Sequence, residues 1–242
     1  VLVLVLLAAC AADDHNPSGG GGGGGSGSGG SGDGDGGVGD GGGAAGGRLC
    51  AAIDLRDPLD CPAVDLGGID VTAQGDTATT DDDGAFDLDL AGGALLVVGA
   101  ATADVRDSLA FVDSWRGDDG VRVPTVTQDD WNQLVLDLDV VEPDGSATIL
   151  LYISDDGDPV SGAEVLTPDG SSVAPFYDDG PGAWTQAGLT GSFGAALLFD
   201  VPTASAVVDL TVVVDGQLYA GSAPVEDGRL TFARANLTIA GE

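Results

Sequence analysis

Lysine and methionine are missing from the 242-residue chain; histidine occurs once, at position 15, and cysteine three times. Without lysine there is no Schiff-base amine and no lysine to grip a phosphate. A single histidine leaves no Ser/His/Asp triad and no histidine zinc cage in any folded part. Positive charge is scarce too. Seven arginines face 40 acids, and the net charge of -33 rules out the basic face that nucleic acid or anionic lipid head groups require. The chain is not a disordered acidic tail, because 43% of it is apolar.

One uninterrupted apolar stretch opens the sequence. Residues 1–9, VLVLVLLAA, reach only about 14 Å as a helix, against roughly 30 Å for a membrane core. That length suits the apolar region of an export signal, and the missing basic segment and initiating Met imply a truncated start. The tetrapeptide Leu7-Ala8-Ala9-Cys10 resembles the lipobox of bacterial lipoproteins. The resemblance implies cleavage before Cys10 and acylation of that residue, with two or more chains holding the protein at a bilayer. Ala11 and Ala12, rather than Asp, follow the cysteine, which the family's sorting pattern associates with the outer membrane.

Residues 18–47 contain 20 Gly, with Ser, Asp and Ala making up most of the rest. Such a chain cannot bury enough apolar area to offset its ordering entropy, so 10–49 reads as a lipid-anchored, disordered linker of roughly 30 Å root-mean-square span. With Cys10 lipidated, Cys50 and Cys61 remain as an even pair in an exported chain and are expected to form a disulfide. Their spacing does not suit a metal, and no histidine is near.

Beyond residue 50 the signals are those of an all-β fold. Asp-Gly recurs at 83, 119, 144, 156, 169, 179, 215 and 227, a dipeptide favoured in hairpin turns. Between the turns lie short alternating or β-branched runs: 69–73, 86–90, 94–100, 148–154, 195–201, 207–214 and 229–233. Short strands with turns every ten or so residues predict β-sandwiches. One segment departs from this pattern. Trp131, Leu134, Val135 and Leu138 follow helical spacing after Thr127, and Asp130 completes a Thr-x-x-Asp cap, predicting a short helix over about 128–138. Leu134, Leu136, Leu138 and Val140 also alternate, so a strand competes.

A weak internal repeat pairs Gly68-Ile-Asp-Val71 and Asp82-Asp-Gly-Ala-Phe86 with Gly162-Ala-Glu-Val165 and Asp178-Asp-Gly-Pro-Gly-Ala-Trp184. Two sandwich units are therefore expected, 50–140 carrying the helix and 141–242. Thr80-Asp-Asp-Asp-Gly-Ala-Phe86 resembles the T-D-x-x-G-x-F signature of carboxypeptidase regulatory-like (transthyretin-like) domains. Gly157-Asp-Pro-Val-Ser-Gly-Ala-Glu-Val165 is similar to their opening motif. The second half replaces the first signature with Tyr177-Asp-Asp-Gly-Pro-Gly-Ala-Trp184. The resemblance implies Ig-like sandwiches with structural or binding duty and no catalytic residues of their own.

Chemistry would have to rest on carboxylates alone, and accidental pairs among 40 acids carry no weight. No cofactor is expected, the Asp residues serving hairpin turns and a solubilising surface; calcium is the one alternative, through Asp81, Asp82, Asp83 and Asp87, or Asp155, Asp156 and Asp158, or Asp178 and Asp179. Starting an EF-hand at Thr79 puts Leu90 where a Glu is needed. Phe176, Tyr177 and Trp184 could form an aromatic rim for a sugar ring. The expectation is a non-enzymatic lipoprotein of the cell envelope, at the outer membrane or cell surface. Its partners would be the bilayer, through acylated Cys10, and an extracellular or periplasmic protein or glycan. The alternative is a calcium-stabilised or glycan-binding accessory module of a secreted hydrolase.

Overall fold

A computed structural model describes residues 46–237 except 53, 59, 61–64, 100–103, 118–119, 179–183 and 187. The signal-like segment, Cys10, nearly all of the Gly-rich stretch, Cys61 and Asp179 lie outside the described residues. The strands run in the order β1 (Gly47–Ala51), β2 (Asp70–Ala73), β3 (Asp76–Thr79), β4 (Ala85–Phe86), β5 (Leu95–Gly99), β6 (Ser108–Phe111), β7 (Arg116–Gly117) and β8 (Gly120–Thr125). After helix α1 (Gln128–Asp137) come β9 (Ser146–Asp155), β10 (Asp158–Pro159), β11 (Glu164–Val165), β12 (Phe176–Asp178) and β13 (Trp184–Thr185). The chain then closes with β14 (Ala195–Pro202), β15 (Val207–Val214), β16 (Gln217–Pro224) and β17 (Leu230–Asn236).

The expected turns set the hairpins. Asp156-Gly157 and Asp215-Gly216 both take positive φ at each residue, joining β9 to β10 and β15 to β16; Gln74-Gly75 does the same between β2 and β3. Paired positive φ values match the right-handed twist of the flanking strands. Two glycines of the expected linker belong to the fold instead. A Cβ on Gly47 would sit 2.3 Å from the Phe86 ring, and one on Gly46 would sit 2.6 Å from the Phe86 carbonyl. The first sandwich therefore starts at 47, because only glycine lets β1 lie against Phe86.

The strands form two sandwiches of the same plan. In the first, β4-β1-β8 with β7 faces β3-β2-β5-β6; in the second, β12-β14-β9-β17 with β10 and β13 faces β11-β15-β16. Their likeness is visible bond by bond. Thr80 Oγ1 accepts from Ile69 N at 2.9 Å and donates to the Leu66 carbonyl. Thr190 Oγ1 accepts from Ala163 N at 2.9 Å and donates to the Val160 carbonyl at 2.7 Å. The main chains of Gly68, Ile69 and Thr80 are bonded like those of Gly162, Ala163 and Thr190. Leu49 N donates to the carbonyl of Gly84 and Ile153 N to that of Gly194, and both glycines have positive φ. A Cβ on Gly194 would fall 2.5 Å from the Ile153 carbonyl.

This corrects the sequence alignment of the halves. The counterpart of Thr80-x-x-x-Gly84-x-Phe86 is Thr190-Gly-Ser-Phe-Gly194-Ala-Ala196, not Tyr177 to Trp184. The stretch between the paired Gly and Thr is sixteen residues longer in the second half, and β12 and β13 occupy the extra length.

The two sandwiches share one sheet. Strand β17 runs parallel to β9 on one side and to β6 on the other, with Leu230, Thr231 and Phe232 opposite Ser108, Leu109 and Ala110. Both faces of β9 are consequently buried. Ala147, Ile149, Leu151 and Ile153 enter the second sandwich's own core, with Leu198, Leu210, Val212 and Tyr219. Leu150 and Tyr152 face a core shared with the first sandwich. Burial on two faces explains why this strand reads as a continuous apolar run rather than an alternation.

Candidate functional site

Helix α1 covers the junction, and the Thr127 cap that predicted it is present. Its Oγ1 accepts from Asp130 N at 3.1 Å and donates to the Asp130 carboxylate at 2.6 Å. Trp131 is fully buried, its ring 5.9 Å from that of Phe199. The Glu142 carboxylate ties the halves together: it accepts from Trp131 Nε1 at 2.9 Å, Arg106 Nη2 at 3.0 Å and Thr148 Oγ1 at 3.0 Å. The Arg106 guanidinium lies 5.5 Å from the Trp131 ring centroid, so charge, indole and carboxylate form one cluster.

A second contact comes from the loop after β1. Arg56 is buried, donates from Nε to Asp54 Oδ1 at 2.8 Å, and stacks 5.3 Å from the Phe193 ring. Its hydrogen bond holds the Asp54 carboxyl below the ordinary range. Tyr152 donates to the Leu55 carbonyl in the same loop, and Trp115 crosses Tyr152 edge-on at 5.5 Å. Burial pushes the Tyr152 phenol well above its usual value, with the charges of Asp54 and Asp57 adding to the effect.

The calcium candidates are occupied in local structure. Asp81 Oδ1 accepts from Asp83 N at 3.0 Å and Ala85 N at 2.8 Å, closing the turn before β4. Asp83 offers its carbonyl to Arg48 Nε at 2.8 Å, with both side chains exposed. Asp82 lies beside Gly67, where an added Cβ would meet its Oδ1 at 2.9 Å, and Asp87 is exposed beyond β4. Asp155, Asp156 and Asp158 build the β9–β10 hairpin. Among the described residues, no group of three or more His, Cys, Asp or Glu is gathered for a metal.

Asp178 is the exception in burial. Fully enclosed, its carboxylate accepts from Gly191 N at 2.9 Å, Phe193 N at 2.8 Å and Ala195 N at 2.8 Å. It staples the Thr190–Gly194 turn, the element that repeats Thr80–Gly84. Sequence reasoning paired this residue with Asp179 as a calcium candidate, and nothing local in the sequence sets it apart from the exposed Asp residues.

The aromatic rim does not form. Adjacent residues of a strand point to opposite faces, and Phe176 packs edge-on against Phe199 in the shared core at 5.8 Å. Tyr177 enters the second core, where its hydroxyl donates to the Val165 carbonyl and accepts from Val165 N, each at 3.0 Å. Burial raises its pKa. Trp184 is half-buried against the shared core. These side chains join sheets to one another and leave no common flat surface for a sugar.

Cys50 is buried in β1, its Sγ 3.4 Å from the Pro58 carbonyl. No helix among the described residues is long and apolar enough to cross a membrane. No family model and no curated protein matches the chain.

Proposed function

We propose that this protein is a non-enzymatic cell-envelope lipoprotein, anchored through acylated Cys10, that displays a double β-sandwich for structural or ligand-binding duty. The observation that carries the reading is Leu7-Ala8-Ala9-Cys10 followed by a stretch in which 20 of 30 residues are Gly. A lipid anchor on a Gly-rich segment would concentrate a binding body in a shell around the membrane. The Ala11-Ala12 pair after the cysteine favours the outer membrane or cell surface, where the partner is an extracellular or periplasmic protein or glycan.

The resemblance to carboxypeptidase regulatory-like domains belongs to the same reading. Its support is the Thr-x-x-x-Gly pattern, which recurs at Thr80 and Thr190 with the same hydrogen bonds. A Cys50–Cys61 disulfide also belongs to it. Its support is that the Cys50 sulfur lies beside Pro58, three residues before Cys61. Such a bridge would contribute about 2–3 kcal/mol by restricting the unfolded chain.

Cell fractionation tests the anchor. With a complete export signal supplied, the wild-type chain is expected in the membrane fraction and Cys10→Ser in the soluble fraction. Equal partitioning of the two would overturn the reading.

A further inference from the structure

The repeat makes the two sandwiches a controlled comparison for one edge strand. In the first, β6 is the last strand of its sheet, and β17 adds to it in parallel. The corresponding strand of the second is β16. Val71 pairs with Val98 and Val98 with Ser108, just as Val165 pairs with Val212 and Val212 with Tyr219. Ser108, Leu109 and Ala110, the residues that face β17, therefore correspond to Tyr219, Ala220 and Gly221. The first three are all buried, whereas Ala220 is exposed and Gly221 half-exposed. Among the described residues β16 pairs only with β15.

Three further observations mark this edge as a place for a partner strand. Its protection is slight: Gln217–Pro224 is eight residues long without one charge, its proline stands only at the last position, and Leu218 is 51% exposed. Natural sheets normally blunt such an edge with charge, shortness or a bulge. A shallow apolar recess lies beside it, lined by Leu151, Leu210, Tyr219, Gly221, Ala233 and Ala235. In the first sandwich the turn Val112–Trp115 packs against β6 and β8 at the corresponding place and buries Val112 and Trp115. The second sandwich passes from β16 to β17 through Val225–Arg229 with no such plug. Finally, the net charge of -33 attracts a basic segment and repels an acidic one, including a second copy of the chain.

We propose that the β16 edge binds an extended, basic peptide segment of a partner protein. The segment adds as a parallel strand opposite Tyr219–Gly221 and lays an apolar side chain over the recess. Main-chain hydrogen bonds supply affinity, and the recess with the surrounding acidic field supplies selectivity. The inference concerns where a partner binds and does not depend on how the protein is anchored.

The probe is a synthetic peptide of residues 228–236, GRLTFARAN, the segment that occupies the equivalent edge in the first sandwich. Titrated into the full chain and followed by amide NMR shifts, it is expected to perturb 217–224. Ala220→Lys, which puts a charge of the peptide's own sign on the edge, should weaken binding at least tenfold. Leu136→Asp on the exposed face of α1 should leave binding unchanged, and melting curves of both variants report whether they fold. Absence of binding, binding that Ala220→Lys leaves intact, or shifts confined to 108–111 would overturn the proposal. Self-association through the β16 edge without peptide would also overturn it, in favour of a homodimer.

Discussion

The first and second sandwiches share a hinge of the same construction, a buried threonine hydroxyl bridging two strands and a positive-φ glycine four residues later, yet their surroundings differ. The first leans on its neighbour: β17 completes its sheet, and Trp115, Trp131 and Tyr152 seal the shared core. The second keeps a core of its own and adds β12 and β13, with Asp178 fastening them to the repeated turn. One local motif can thus serve a unit completed by another and a unit that carries its own reinforcement. The difference lies in what lies against each sheet edge.

The largest effect expected is at Asp178. Asp178→Ala strands three N–H donors, that of Ala195 buried and those of Gly191 and Phe193 partly so, and should cost about 3–5 kcal/mol. Among the described residues nothing equivalent lies beside Thr80, where the turn is closed by the exposed Asp81. Asp81→Ala should cost about 1 kcal/mol. Denaturant titration of the pair checks the asymmetry, and equal losses would contradict it.

Trp131→Ala should cost about 3–4 kcal/mol, because it opens a cavity between the sandwiches and frees Glu142 from the indole. The wild-type body is expected to unfold in a single transition; two resolved transitions in the wild type would deny that the shared core couples the halves.

Thr80→Val and Thr190→Val keep the side-chain shape and remove the bridging hydroxyl. Each should cost about 2–3 kcal/mol, and the two losses should agree, since each leaves one buried N–H and one carbonyl without its partner. A markedly smaller loss at Thr190 would mean that the hinges are alike only in outline.

The mildest test uses pH. Tyr152 between the sandwiches and Tyr177 within the second both have raised pKa values in the folded state. Their contribution is complete below the unfolded value of about 10 and is lost as pH rises through the folded values. Phenolate absorbance should therefore appear with unfolding. Asp54 acts with the opposite sign: its lowered pKa contributes above about pH 4 and is lost as pH falls through the folded value. Tyr152→Phe should flatten the alkaline loss more than Tyr177→Phe.

Much of the fold was legible because its signals are local. Asp156-Gly157 and Asp215-Gly216 announce their turns, Thr127 announces α1, and Phe86, Leu88 and Leu90 alternate with exposed Asp87 and Asp89 as a half-buried segment must. The pairing of β6 with β17 had no local signal, since it joins residues more than a hundred positions apart. The inserted β12–β13 hairpin hid the Thr190 counterpart of Thr80, because the spacing no longer matched. The candidate site was misread for a related reason. In a chain with 36 Asp, a carboxylate in a turn is the ordinary case, so the sequence offers no contrast between exposed Asp83 and enclosed Asp178. Phe176 and Tyr177 looked like neighbours on a surface, but the strand they share sends them into separate cores.

Intact-mass spectrometry of protein extracted from membranes tests the account most directly. The account predicts a mature chain beginning at Cys10, heavier by a diacylglyceryl group, with Cys50 and Cys61 oxidised. A mature chain recovered from the medium with an unmodified thiol at position 10 would contradict it.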